Sequence, residues 1–339
     1  MLKTLQLKNF RSYVAIELDF DSGLTVISGP NAVGKTNLLE AVFVACTTKS
    51  FRAADQELIH TGQDFYRVDV DFGEDAAMLS YSTIGDTHSK QYKLHNKKQP
   101  LHSVLGRNPV TLFEPNDMNL FMYGPDRRRR YLDIILSQSD IRYAKALQQY
   151  RKVLRHRNSL LHQAKVHGRK LQQDELFVWD MQLVEPAVKI QESRKKFAEQ
   201  IAPLLERHYI EIASDDKRAL LEYQPSIQSD QVDILEVMQR NYTKDTLVGF
   251  TTQGPHRDDI RALFGEHSIE DVASRGETRT FILALKLAEL DYISDKTSKR
   301  PILLLDDVFS ELDAARREHL VAALAQQQTL LTTTEVDNT

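Results

Sequence analysis

Eight consecutive residues, Gly29-Pro30-Asn31-Ala32-Val33-Gly34-Lys35-Thr36, have the types and spacing of a phosphate-binding loop. In such a loop the glycines let backbone N–H groups curl around phosphate oxygens. Lys35 reaches the β- and γ-phosphates, and Thr36 offers its hydroxyl to Mg²⁺. A second candidate group lies near the other end of the chain, where Ile302-Leu303-Leu304-Leu305 runs into Asp306-Asp307. An apolar strand buried on both faces delivers such carboxylates to the C-terminal edge of a sheet, where ligands of open α/β sheets bind. There Asp306 would orient the shell of a Mg²⁺ ion and Asp307 would polarise an attacking water. A third is Ser274-Arg275-Gly276-Glu277 at the start of a helical pattern. Serine with glutamate three residues later fits a capping box. Serine, glycine and free N–H groups at a helix start fit an anion site equally well.

The elements around these residues are legible in outline. Leu24 to Ser28 reads as a strand leading into the loop, and Asn37 to Ala45 as a buried helix leaving it. Leu2, Leu5 and Leu7 mark one earlier strand, and Val14, Ile16, Leu18 and Phe20 a second. Strict alternation predicts one buried face on each. Between them Arg11 either faces the nucleotide or is a solvated turn residue. Tyr66 to Leu94 reads as an antiparallel meander, with a further strand at Val110 to Phe113. From Arg127 to about Tyr209 the signals are helical. Tyr143, Leu147, Tyr150, Leu154 and Leu161 form one stripe, with Arg142, Lys145, Arg151, Lys152, Arg155 and Arg157 standing off it. A second stripe runs through Phe177, Met181, Val184 and Val188, then shifts phase at Ile190, Phe197, Ile201 and Leu204. Pro186 is expected to kink or break that helix. With Gly168 between the stripes, the pattern predicts an inserted antiparallel hairpin. Beyond it come a strand at Leu220 to Tyr223, a helix over Val232 to Gln239, a strand-rich piece from Leu247 to Phe264 and a helix from Thr278 to about Ile293.

Composition narrows the function classes. The 339 residues, 41% hydrophobic, suffice for two domains or for one with a large insertion. The start of the chain alternates like a strand rather than a signal peptide, and no apolar run reaches membrane-spanning length, so a cytoplasmic protein without a membrane partner is expected. The lone Cys46 excludes an internal disulfide and fits a small core residue. The net charge of −4 hides an asymmetry: residues 125–170 carry thirteen Lys or Arg against three Asp, whereas the remainder carries 31 basic and 45 acidic residues. A basic island on an acidic body confines any polyanion contact to particular surfaces. A solvated helix face accounts for the same charges.

The loop, the Ser-x-Gly-Glu signature, the two-acid strand end and Ser310-Glu311-Leu312-Asp313 after it resemble, in that order, the ABC-type ATPase head. Within that superfamily the chain closely resembles the RecF family of DNA replication and repair proteins. The resemblance rests on 9–13, 34–41, Ser50-Phe51-Arg52, Arg127-Arg128-Arg129-Arg130-Tyr131-Leu132-Asp133, Gly254-Pro255-His256-Arg257-Asp258-Asp259 and 304–313. It implies an α/β fold: a P-loop ATPase head with a mixed sheet and an antiparallel meander, built from residues 1–123 and 216–339, with a basic helical lobe inserted over 124–215.

It also implies ATP and Mg²⁺ as cofactors. Gly29, Pro30, Asn31, Ala32, Val33, Gly34, Lys35, Thr36 and Asn37 would bind the nucleotide of one subunit, and Ser274 and Gly276 of a second would touch its γ-phosphate. Thr36 and Asp306 would hold the metal, and Lys35 and Asp307 would serve a weak, DNA-dependent ATPase. The implied partners are double- and single-stranded DNA at gaps and junctions, a second copy of the chain, the RecO and RecR mediators and, indirectly, the RecA recombinase, in replication restart and the SOS response. From the basic island, Arg127, Arg128, Arg129, Arg142, Lys145, Lys152 and Arg155 are the expected DNA contacts.

The chain departs from its relatives in places. Arg275 and Glu277 stand where transport ATPases carry Gly and Gln, which disfavours a transporter subunit. Thr332-Thr333-Thr334-Glu335 stands where such heads often carry a switch histidine, and no glutamine is assigned to a Q-loop. An SMC-like chromosome-organising or nuclease-associated head is the alternative, against which the insertion is too short for a long coiled-coil arm. A P-loop kinase would leave Ser274 without a role. In sedimentation, Lys35→Ala is expected to abolish ATP-dependent dimerisation. Ser274→Arg should block it while sparing nucleotide binding, and a Ser274→Arg protein that still dimerises with ATP would sink the shared-site reading.

Overall fold

The computed structural model describes residues 1–85, 88–169, 171–213, 217–227 and 234–334, the side chains of 173, 310, 311 and 323 excepted. Along the chain run strands β1 (Thr4–Phe10), β2 (Tyr13–Asp19) and β3 (Leu24–Ser28), helix α1 (Lys35–Thr47), and strands β4 (Phe65–Asp71), β5 (Ala76–Ser82), β6 (Ser89–Leu94), β7 (Lys97–Gln99) and β8 (Val110–Phe113). Helices α2 (Pro125–Ser139), α3 (Ile141–Val166) and α4 (Gln173–Ala213), strand β9 (Ala219–Gln224) and helices α5 (Ile234–Arg240) and α6 (Tyr242–Val248) follow. The chain closes with β10 (Asp259–Phe264), β11 (His267–Ser268), α7 (Ile269–Val272), α8 (Arg275–Thr297), β12 (Ile302–Asp306), α9 (Ala314–Leu324) and β13 (Thr329–Thr333). No described helix is long and apolar enough to cross a membrane.

Two compact units form. The first comprises Met1–Met118, Arg207–Asp216 and Ser274–Thr339, the second Asn119–Glu206 and Lys217–Ala273. The second unit thus takes in residues 217–273 beside the helical stretch, and differs in extent from the lobe expected over 124–215, whose last two residues lie outside the described ones.

In the first unit, β3, β13, β12 and β8 form an all-parallel sheet in that order, and β2, β1, β4, β5, β6 and β7 an antiparallel one. The two kinds of pairing are divided between two sheets rather than mixed within one. Because β12 has a parallel neighbour on each side, Ile302 to Leu305 are at most 4% exposed, as a strand covered on both faces requires. Helix α1 packs against strands of both sheets, which is why it is apolar nearly all round. Cys46 lies in that core, and burial pushes its thiol up to about 12, leaving it an inert small residue. The expected buried faces are lost at the sheet edges: Val14 on β2 is 61% exposed, and Leu24 and Val26 on β3 are 48% and 51% exposed. An edge strand has a neighbour on one side only.

In the second unit α3 and α4 run antiparallel. As the number rises along α3 the partner's falls along α4: Tyr143 meets Arg194, His156 stacks on Trp179 with centroids 5.2 Å apart, and Arg157 meets Asp180. Gly168 turns the chain between them with φ 61°. Helix α4 runs as one element through Pro186 and Pro203, so of the expected kink or break the break does not occur. Each proline removes one donor, but the fully buried Leu183, Ala187, Ile190 and Ile201 hold the helix on its neighbours. The expected second stripe is rotated in its first half only. Phe177 and Met181 are 42% and 51% exposed and the buried face there runs through Leu176, Asp180, Leu183 and Ala187, whereas Ile190, Phe197 and Ile201 after the phase shift are buried as expected, joined by Gln191 and Arg194. The helix expected from Val232 begins, among described residues, at Ile234.

Polar residues on that face explain the rotation. Arg157, expected to stand off the α3 stripe, is 0% exposed. Its guanidinium donates to Asp180 at 2.6 Å and to Asp245 and Thr251 at 2.8 Å. Arg194 donates to Asp133, Asp258, the Pro255 carbonyl and Tyr143. Asp258 also accepts from the Ser226 N–H at 2.8 Å and from Tyr223. His256 completes the cluster. Its Nε2–H donates to the Thr251 carbonyl at 3.0 Å, so Nδ1 accepts from the Tyr150 hydroxyl at 2.7 Å, and burial lowers its pKa to about 4. Removing one member of a buried ionic group strands the others. Arg157→Ala is therefore expected to destabilise the second unit by about 3–5 kcal/mol, read by urea denaturation, with Asp180 and Asp245 left uncompensated.

Candidate nucleotide site

The loop from Gly29 to Gly34 joins β3 to α1 at the C-terminal edge of the parallel sheet. Its conformation depends on φ angles that few residues adopt: Ala32 stands at 66° and Gly34 at 108°. At Gly34 a side chain is excluded twice over, because a Cβ would lie 2.7 Å from Ser12 Oγ and 2.9 Å from Tyr13 Oη. Gly34 caps α1 without a side-chain acceptor and its carbonyl takes the Asn37 N–H at 2.9 Å, so the Lys35 and Thr36 N–H groups are those that an anion at the helix start would meet. Val33 is 52% exposed on the outside of the loop. The Lys35 ammonium folds back into the loop and donates to the Gly29 and Pro30 carbonyls at 2.6 and 3.0 Å.

Thr36 is the hinge of the site. Its hydroxyl donates to the Asp306 carboxylate at 2.8 Å, which joins the start of α1 to the end of β12. The same carboxylate accepts from Thr332 Oγ1 at 2.7 Å, so β13 holds it from the other side. Asp307 adopts the left-handed conformation, φ 51°, and its N–H donates to Thr332 Oγ1 at 3.1 Å. The threonine at the end of β13 thus fixes both acids. Glu335 lies outside the described residues, as do the side chains of Ser310 and Glu311.

Beside the loop a polar chain runs through Asn37. Asn37 donates to Ser12 Oγ at 2.8 Å and accepts from Arg52 at 2.7 Å. Arg52 and Arg11 both pair with Glu40, which is 0% exposed and also accepts from Ser50 at 2.5 Å. Burial alone would raise the Glu40 pKa, but the donors from Arg11, Arg52 and Ser50 outweigh it and hold the carboxyl below its ordinary range. Arg11 is therefore neither a plain turn residue nor aimed by itself at the loop, since Glu40 and the Glu57 carbonyl hold it.

Ser274 and Glu277 make a reciprocal capping box at the start of α8: the Ser274 N–H donates to Glu277 at 2.7 Å, and Ser274 Oγ accepts the Glu277 N–H at 3.3 Å. The Gly276 carbonyl accepts from Arg316 of α9 at 2.9 Å. Ser274 is exposed, and the box leaves its hydroxyl on the surface.

The basic candidates divide. Arg142, Lys145, Lys152 and Arg155 are exposed on α3, and Arg127 lies over the Tyr123 ring at 5.0 Å. Arg128 and Arg129 are each 8% exposed and are structural in place of DNA contacts. Arg128 forms a two-pronged pair with Asp259 at 2.7 Å, and Arg129 donates to the Asp258 carbonyl at 2.7 Å and to Asp126. Sequence reasoning gave no role to Glu40 or Arg316 and named Thr332 only by its place in the switch segment. Only Glu40 left a signal, an acid in an otherwise apolar helix. The other two act through pairings between strands and helices that are remote in sequence.

The family model for the RecF/RecN/SMC N terminal domain matches residues 1–336. The DNA replication and repair protein RecF of Moorella thermoacetica is 38% identical over 337 residues, covering 99% of this chain and 90% of its own. That of Herpetosiphon aurantiacus is 34% identical over 358 residues, covering 98% and 93%. A solved structure of the recombination mediator protein RecF-ATPrS in the RecFOR pathway superposes with a TM-score of 0.89 at 32% identity, over 99% of this chain and 93% of that one. The Smc head domain of Pyrococcus yayanosii, at 14% identity and a TM-score of 0.52 over 98% and 92%, shares the fold. The architecture is that of an ABC-type ATPase head, and on full-length identity above 30% the chain belongs to the RecF family of DNA replication and repair proteins.

Proposed function

We propose that this protein is an ATP-binding, DNA-binding recombinational repair protein whose ATP-bound form is a homodimer. The observation that carries the reading is the Thr36–Asp306 hydrogen bond of 2.8 Å at the mouth of the phosphate loop. It sets a hydroxyl and a carboxylate side by side, the hard oxygen donors that Mg²⁺ takes together with phosphate oxygens and water. Thr36 and Asp306 would hold that ion, which would supply positive charge against the negative charge of the nucleotide phosphates. Lys35 exchanges its loop carbonyls for phosphate oxygens, and Asp307 orients the attacking water. The exposed Ser274 and the neighbouring Gly276 offer the γ-phosphate contacts to the loop of a second copy. A solved relative of this family is named as RecF-ATP, and it is 30% identical over 100% of this chain.

The first unit handles nucleotide and the second DNA, on the exposed face of α3 that carries Arg142, Lys145, Lys152 and Arg155. Family membership supports the rest of this reading: partners of the RecO and RecR type, loading of RecA at gaps, a weak DNA-dependent ATPase, roles in replication restart and the SOS response, and a cytoplasmic location. An SMC-type role is disfavoured by the length of α3, whose 26 residues span about 40 Å.

Sedimentation with and without ATP and DNA tests the reading. ATP should drive dimerisation and DNA should strengthen it; a monomer under all conditions would reject the dimer. Gly34→Ala, which forces about 1–3 kcal/mol of backbone strain on the loop, should weaken ATP binding about tenfold or more. Affinity for duplex DNA should fall with log salt at a slope of about −0.9 per phosphate contacted, and Lys145→Ala, Lys152→Ala and Arg155→Ala together should flatten it by roughly 2.7. An unchanged slope in that variant would remove α3 from the interface.

A further inference from the structure

Two motifs, residues 127–133 and 254–259, contribute nothing to the nucleotide site, yet both lie in the second unit and are stitched to each other. The Arg128 guanidinium grips Asp259 with two bonds of 2.7 Å and also ties down the Tyr123 carbonyl at 2.6 Å. Arg129 donates to the Asp258 carbonyl at 2.7 Å. The start of α2 and the turn before β10 are thereby held as neighbours. Each presents the same device at its surface. Arg127 lies over the ring of Tyr123 and Arg257 over the ring of Phe250, both with the guanidinium 5.0 Å from the ring centroid.

The rings are half uncovered, Tyr123 at 48% and Phe250 at 42% exposure. Their backbones are fixed. Tyr123 is held through Arg128, and Phe250 precedes Thr251, whose N–H donates to Asn158 at 2.9 Å and whose carbonyl takes the His256 N–H at 3.0 Å. A half-exposed aromatic ring on a fixed backbone with a guanidinium against it is poor packing but good stacking chemistry. Unpaired bases lie on such faces, and the guanidinium takes the flanking phosphate. A duplex cannot use it, because its base faces are already stacked.

We propose that Tyr123/Arg127 and Phe250/Arg257 form a binding site for unpaired nucleotides, made of residues other than Arg142, Lys145, Lys152 and Arg155 of α3 and without base-specific readout. This rests on the DNA-binding reading above and names which form of DNA this surface takes. One base stacks on the open face of each ring, and Arg127 and Arg257 neutralise backbone phosphates.

The test uses the full-length protein with ATP and Mg²⁺, and fluorescence anisotropy of a labelled oligo-dT and of a duplex of the same length. Tyr123→Ala with Phe250→Ala should weaken oligo-dT binding by about fivefold or more per ring, the low end of what one stacked base contributes. Duplex affinity, ATP binding and the melting temperature should hold. Tyr123→Phe with Phe250→Tyr keeps both π faces and should bind oligo-dT like the parent. Arg127→Gln with Arg257→Gln should flatten the oligo-dT salt slope by roughly 1.4, two single-strand phosphates. The proposal is overturned if the double alanine variant binds oligo-dT unchanged, if it loses duplex binding equally, or if it loses only ATP-dependent self-association, which would make the patch a protein interface. A parent protein that binds the duplex but not oligo-dT also overturns it, while one that binds neither rejects the underlying DNA reading.

Discussion

The carboxylate of Asp306 is the point on which the first unit turns. It accepts a hydroxyl from Thr36 on one side and from Thr332 on the other, so one side chain fastens the phosphate loop, the central strand β12 and its neighbour β13. The tie depends on burial. Helix α1 is clamped between strands of two sheets, and β12 is covered on both faces, so neither end of the Thr36–Asp306 bond has freedom to drift. A loop of backbone N–H groups binds phosphate only if its curvature is set beforehand, and here the contact that anchors the loop also sets a hydroxyl beside a carboxylate.

Buried charge does comparable work in both units. Glu40 collects Arg11 and Arg52 beside the loop, and Lys286 of α8, buried under the sheet, donates to the Leu112 carbonyl of β8 at 2.8 Å and pairs with Asp117 and Glu289 at 3.3 Å. In the second unit Arg157 and Arg194 sit at the centre of carboxylate clusters. Burial raises the pKa values of Tyr143, Tyr150 and Tyr223, so each remains a hydroxyl donor at any physiological pH. Such groups are costly to desolvate and tolerate few arrangements, so they specify one packing of helices whose apolar stripes alone would accept several.

This division gives the distribution of charge a physical sense. A protein of net charge −4 is unfavourable to a polyanion over most of its surface, and thirteen of its basic residues are concentrated in residues 125–170 of the second unit. Not all of them face outward. Arg128, Arg129 and Arg157 are buried and bonded within their own unit, so the basic surface is smaller and more localised than the count suggests.

What the sequence determined by itself was whatever depends on local spacing: the loop with Lys35 and Thr36, the strand ending in Asp306 and Asp307, the meander, the helix start at Ser274 and the family. Those features are encoded within a few residues, because φ preferences, period-two alternation and helix caps act at that range. Tertiary structure decided which charges are tools and which are mortar. Nothing near Arg157 in the sequence shows that Asp180 and Asp245 wait for it. Likewise nothing near Thr332 shows that β13 lies beside β12 in the register that brings its hydroxyl to Asp306. The first half of the stripe on α4 was misread for the same reason, since Asp180, like Gln191 and Arg194 beyond it, is buried only because partners distant in sequence satisfy it. Long-range pairing sets the desolvation balance of a polar side chain, and that balance exists only in the folded chain.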